Sequence, residues 1–109
     1  MALKANIVID QGTSFSTTID VTDDDGNIVD LDGFTGAAQM RKHYTSSTAY
    51  DFTVAITEDL GEVNLSMTAN TTNSIPAGRY VYDCELTDSA GLVSRLIEGV
   101  VTVTPGVTR

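Results

Sequence analysis

The sequence predicts an all-β domain, an antiparallel sandwich of seven or eight strands. Three observations point there. Val, Ile and Thr are frequent in a chain that is 41% hydrophobic, and β-branched side chains suit a pleated sheet. Apolar residues alternate with polar ones over most of the length, the period of a strand buried on one side. Turn signals recur about every 8–12 residues, with none of the 10–15 residue helical stretches that parallel βαβ units need.

The elements follow in order. Over residues 13–22, Phe15, Ile19 and Val21 share one face, with Ser14, Ser16, Asp20 and Thr22 opposite. The Asp25-Gly26 turn marks a hairpin, and Ile28, Val29 and Leu31 read as its return strand. Residues 34–44 are helix-permissive in composition but carry no cap or sustained 3.6 period, so a strand is expected with Ala38 and Met40 inward. Tyr50, Phe52, Val54 and Ile56 alternate cleanly, a turn follows at 58–61, and Val63, Leu65 and Met67 form the answering face. Residues 69–76 are polar and read as a crossing loop. A strand opens at Gly78 with Tyr80, Tyr82, Cys84 and Leu86 on one face. The Ser89-Ala90-Gly91 turn leads into a last long strand over 92–104, where alternation slips near Glu98-Gly99 and predicts a β-bulge. The tyrosine at the start of the 78–86 strand matches the corner of immunoglobulin-like (Ig-like) sandwiches, in which its hydroxyl reaches back to the backbone. One Ig-like β-sandwich domain is therefore expected over 1–109, with short N- and C-terminal docking arms.

Composition narrows the function. A chain of 109 residues suits one domain and buries roughly 60–70% of its unfolded surface. Six Lys and Arg against fifteen Asp and Glu leave a net charge of −9. Nucleic acid is not an expected partner, because phosphate binding needs clustered cations. No apolar run is long enough to span a membrane, and the first ten residues lack a signal-peptide core. The single cysteine, Cys84, has no partner for an internal disulfide. Asn64-Leu65-Ser66 and Asn70-Thr71-Thr72 match the glycosylation pattern, which arises by chance in a Thr-rich chain.

Reactive chemistry is not expected. His43 is the sole histidine, so neither a paired-imidazole metal site nor a relay is available. Cys84 falls at an inward strand position, where a thiol behaves as a small hydrophobe. No phosphate-binding loop and no distinctive carboxylate pair occurs. The reading is a non-enzyme with no catalytic residues, no cofactor and no small-molecule substrate. The acidic run Asp23, Asp24, Asp25, Asp30 and Asp32 offers a weak metal candidate in Asp23, Asp25, Asp30 and Asp32. Its register fails the EF-hand pattern, and Asp also suits tight turns on its own account. Exposed aromatics for sugar stacking are scarce, with Tyr44 and Tyr50 the ones that fall near an edge.

The runs Gln11-Gly-Thr-Ser-Phe15, Asp25-Gly-Asn-Ile-Val-Asp-Leu31, Ile75-Pro-Ala-Gly-Arg-Tyr-Val-Tyr-Asp83 and Arg95-Leu-Ile-Glu-Gly-Val-Val-Thr-Val103 together resemble another group. They are similar to small virion structural proteins of tailed phages, including those of cyanophages, and to the Ig-like N-terminal domain of phage baseplate upper proteins. The resemblance implies a virion component made in the bacterial cytoplasm and assembled in many symmetric copies on other virion proteins. A place in the tail, neck or baseplate is expected, with capsid decoration as the alternative and a sugar- or calcium-binding module behind both. Arg41, Arg79, Arg95 and Arg109 are the expected contact residues, because guanidinium pairs bidentately with carboxylates.

Overall fold

The computed structural model describes residues 3–23 and 25–107. It is all-β, as predicted, with strands β1 (Leu3–Lys4), β2 (Ile7–Asp10), β3 (Phe15–Asp20), β4 (Thr35–Arg41), β5 (Tyr50–Thr57), β6 (Glu62–Met67), β7 (Gly78–Thr87) and β8 (Val93–Thr104). They form one hydrogen-bonded path in the order β1-β8-β7-β4-β5-β6-β3, with β2 also on β8.

The path curls because β5 changes partner along its length. Its first residues, 50–52, pair with Met40–Ala38 of β4, and residues 53–57 pair with Ser66–Glu62 of β6. The two halves of the sheet therefore cover a single core. Rings contributed from both halves meet there: Phe15 of β3 lies 6.0 Å from Phe52, which lies 6.2 Å from Tyr82 of β7. The orders β3-β6-β5 and β4-β7-β8 are those of strands B-E-D and C-F-G in Ig-like domains.

The alternating faces fall where the sequence places them. Ala38, Met40, Phe52, Val63, Leu65, Met67, Tyr80, Tyr82, Cys84 and Leu86 are all buried. The corner is present as well, since the Tyr80 hydroxyl donates to the Pro76 carbonyl at 2.6 Å.

Four expectations are corrected. The segment after the Asp25-Gly26 turn is no strand: among the described residues it makes one isolated bridge, Thr22 to Ile28, flanked by hydrogen bonds from Asp23 to Asn27 and from Val29 to Val21. Ile28 stays exposed while Leu31 is wholly buried. Burying a leucine is worth about 1.5–3 kcal/mol, so Leu31 pulls the chain across to the core instead of extending a hairpin.

Residues 69–73 form a short helix, α1 (Ala69–Asn73), not a loop. Thr68 caps it, and the buried Thr72 hydroxyl donates to the Thr13 carbonyl at 2.7 Å and accepts from the Gly12 N–H at 3.1 Å. Thr and Asn are poor helix formers. A cap and one buried hydroxyl hold this turn where apolar periodicity would normally announce it.

The bulge lies one turn of the pleat earlier than predicted. Cys84 opposes Ile97 but Glu85 opposes Arg95, leaving Leu96 as the extra residue. Gly99 has a different reason to be glycine. A Cβ there would sit 2.0 Å from the carbonyl oxygen of Ala5.

That contact belongs to the fourth correction. The N-terminal residues expected as an arm are strands running parallel to β8, Leu3–Lys4 against Ile97–Glu98 and Ile7–Asp10 against Val101–Thr104. Ala5 bridges them, donating its N–H to Glu98 and accepting from the Tyr82 hydroxyl at 2.7 Å.

Two outcomes follow for urea unfolding. Gly99→Ala drives a methyl into the Ala5 carbonyl, and overpacking of this kind costs about 1–3 kcal/mol. Faster amide exchange at Ala5 in the variant marks the loss as local to β1. Tyr80→Phe removes the corner bond and is expected to cost about 0.5–1.5 kcal/mol; an unchanged midpoint would show the corner to be energetically idle.

Candidate functional site

The reactive side chains are kept apart. Cys84 sits mid-strand in β7, between Ala38 and Ile97, and is fully buried. Burial, reinforced by Asp83 and Glu85, pushes its thiol up from about 9 to about 11. A thiolate is the nucleophile, so this sulfur is inert near neutrality. His43 lies on the exposed loop beyond β4, its N–H bonded to the Ser46 hydroxyl at 3.0 Å. The fold does not bring the two together.

The acidic run is divided in the same way. Asp23 Oδ1 accepts the N–H groups of Asp25 and Asn27, both at 2.9 Å, which is the work of a turn-forming aspartate. Asp30 Oδ1 accepts the Asp32 N–H at 3.1 Å. Asp32 stands beside Glu58, and its negative charge is the main reason the Glu58 carboxyl is raised above its usual value. Asp24 lies outside the described residues. Among the described residues no group of three or more His, Cys, Asp or Glu side chains is arranged to hold a metal ion.

The arginines divide too. Arg41 donates to the Ser46 carbonyl at 2.5 Å and to the Gln39 side chain at 3.0 Å, which holds the β4–β5 loop. Arg95 pairs with Glu98 at 3.3 Å and Asp83 at 3.4 Å across the outer face. Arg41 and Arg95 share a shallow depression of about 110 Å³ on the outside of β4, β7 and β8, with Asp83 and Glu98. Both are already engaged within the chain. Arg79 is exposed at the start of β7, which makes it the freest of the expected contacts. Arg109 lies outside the described residues.

Sequence reasoning missed the wider hollow at the end of the sheet. A basin of about 520 Å³ opens between the β4–β5 loop and the segment entering β7, lined by Lys42, His43, Ser46, Tyr50, Pro76 and Tyr80 among others. Lys42 lies 5.0 Å from the centre of the Tyr80 ring, a cation–π distance. Tyr50 meets the same ring edge-on at 6.1 Å. Tyr50 is thus partly buried, whereas Tyr44 stands 80% exposed on the loop. The signal was available in Lys42-His43 and Tyr80, but their meeting depends on a pairing that sequence spacing does not show.

No family model matches the sequence, and no curated protein matches it. Solved structures do share its fold. An internalin-like protein of Listeria monocytogenes superposes with a TM-score of 0.50 at 14% identity, over 94% of this chain. The chain spans 28% of that protein's length. At this identity the likeness concerns the β-fold alone. Among the described residues no helix is long and apolar enough to cross a membrane.

The Cys84 thiol sets a pH dependence. Its folded value lies above its unfolded one, so its contribution to stability is fully present below about pH 9 and is lost as pH rises towards about 11. Burial also raises Tyr80 and Tyr82 above their usual value of 10.0, with the same sign. Thermal melts are expected to be flat to pH 9 and to fall steadily above it. A thiol reagent at pH 8 is expected to label Cys84 only as fast as the chain unfolds.

Proposed function

We propose that this chain is a non-enzymatic structural component of a tailed-phage virion, docking on neighbouring proteins in the tail, neck or baseplate. The virion assignment draws on the resemblance of the Ile75–Asp83 and Arg95–Val103 runs to phage structural proteins. Those runs supply the corner, the central strand and the glycine against which the N-terminal segment packs.

The observation that carries docking is the open edge of β3. The strand path ends on it, and among the described residues it pairs with β6 alone. Edge strands are normally blunted by Lys, Pro or a bulge. Phe15-Ser-Thr-Thr-Ile-Asp20 carries no such device except the acid at its end. A neighbour's extended segment completes such a ladder with main-chain hydrogen bonds.

Mass spectrometry of purified particles, separated into heads and detached tails, tests the assignment. Recovery with tails is expected. Recovery with heads would make it a capsid decoration protein, and absence from both fractions would overturn the virion reading.

A further inference from the structure

Charge is uneven along the strands, with cations favouring one end and acids the other. The end where β4 finishes and β7 begins carries Arg41, Lys42, His43 and Arg79, with Asp10 and Asp51 as its acids. The opposite end gathers Asp20 and Glu62, which face each other across β3 and β6, then the Asp23–Asp32 loop, then Glu58 and Asp59. Asp88 joins them at the β7–β8 turn. No Lys or Arg occurs between residues 5 and 40 or between 43 and 78, so the acidic end holds no cation from those segments. The strain of like charges shows at Glu58, raised mainly by Asp32, with Asp30 and Asp59 adding to it.

The cationic end is concave. Its basin presents the Lys42 ammonium, the His43 ring and the hydroxyls of Ser46 and Ser47, all donors for carboxylates. The acidic end is exposed. A Cβ built on Gly26 at its tip would meet nothing within 4 Å, and Asp25 and Asp59 are both exposed.

We propose that the basin receives the acidic end of a second copy of this chain, so that copies associate end to end. The contact joins two different surfaces, so successive copies close into a ring or continue as a filament according to the rotation between them. The inference goes beyond the virion reading and does not rest on it, because it concerns the purified chain in solution.

Magnitudes decide whether the attraction survives a net charge of −9. At about 0.15 M salt the Debye length is about 8 Å, so most of one copy's net charge is hidden from the next, while ion pairs closing to about 4 Å still interact. At about 1 M the length falls to about 3 Å and the pairs themselves are screened. At low ionic strength the net repulsion wins. Association is therefore strongest at intermediate salt.

Sedimentation velocity over a protein concentration series reads this directly. At about 0.15 M salt the wild-type chain is expected to grow in mass with concentration, and at about 1 M to return to monomer. Reversing the cationic end (Lys42→Glu with Arg79→Glu) or the acidic end (Asp25→Lys with Asp59→Lys) is expected to abolish growth in each variant alone. Mixing the two variants restores complementary ends and is expected to restore association. All four positions are exposed, and each variant's unfolding midpoint is recorded alongside. Should a reversal unfold the chain, Lys42→Gln and Asp59→Asn carry the same comparison with a smaller loss. A wild type that stays monomeric at every concentration, growth that persists in either variant alone, or folded variants that fail to associate on mixing would each overturn the proposal.

Discussion

The inward row of β7 is the constraint on which the rest of the structure depends. Tyr80, Tyr82, Cys84 and Leu86 present their side chains to the core from the strand that lies between β4 and β8. The two rings fill the space under the curl, Tyr80 against Tyr50 and Tyr82 against Phe52. A buried hydroxyl without a partner costs roughly 1–3 kcal/mol. Each therefore holds a particular backbone carbonyl, Pro76 for Tyr80 and Ala5 for Tyr82. The entry into β7 and the join between β1 and β2 are both positioned from this one strand. The glycine at 99 follows from the second of these bonds, since Ala5 held close to β8 leaves no room for a side chain there.

Much of this was legible because period-2 alternation reports burial on one face. β4 to β7 are half-buried strands, and their inward residues were identifiable one by one. Other features escaped for identifiable physical reasons. Ile28 and Val29 look like strand residues, but their pairing stops at one bridge to Thr22 and one bond to Val21 because the chain turns to bury Leu31. The helix at Ala69–Asn73 has no apolar stripe, because its buried contact is the Thr72 hydroxyl. The slip in β8 was visible as a broken alternation, yet a glycine nearby drew the bulge to 98–99 when the unpaired residue is Leu96. Glycine answers two different demands, an irregular ladder and a close backbone approach, and the sequence does not distinguish them.

The candidate surfaces were legible in composition but not in arrangement. The acid-rich run and the scarcity of cations are plain in the chain. Which of them share an end depends on the direction of each strand. Arg41 and Arg79 are far apart in sequence, yet antiparallel pairing sets Arg41 opposite Val81 and so places them at the same end. The same pairing sends Glu58 towards Asp30 and Asp32, where Leu31 bonds to the Glu58 carbonyl. Arg95, selected with the others, is spent within its own chain on Asp83 and Glu98.

The parallel pairing of β2 with β8 has a mechanical meaning. Residues 7–10 and 101–104 run the same way along a common ladder, with residues 3–4 adding a second short stretch. Tension applied at the two ends of the described chain pulls these strands in opposite directions along their shared axis. Every hydrogen bond in the ladder is then loaded in shear at once, whereas an antiparallel hairpin would open one bond at a time like a zip. A domain joined in this way resists stretching between its ends far better than its modest size suggests.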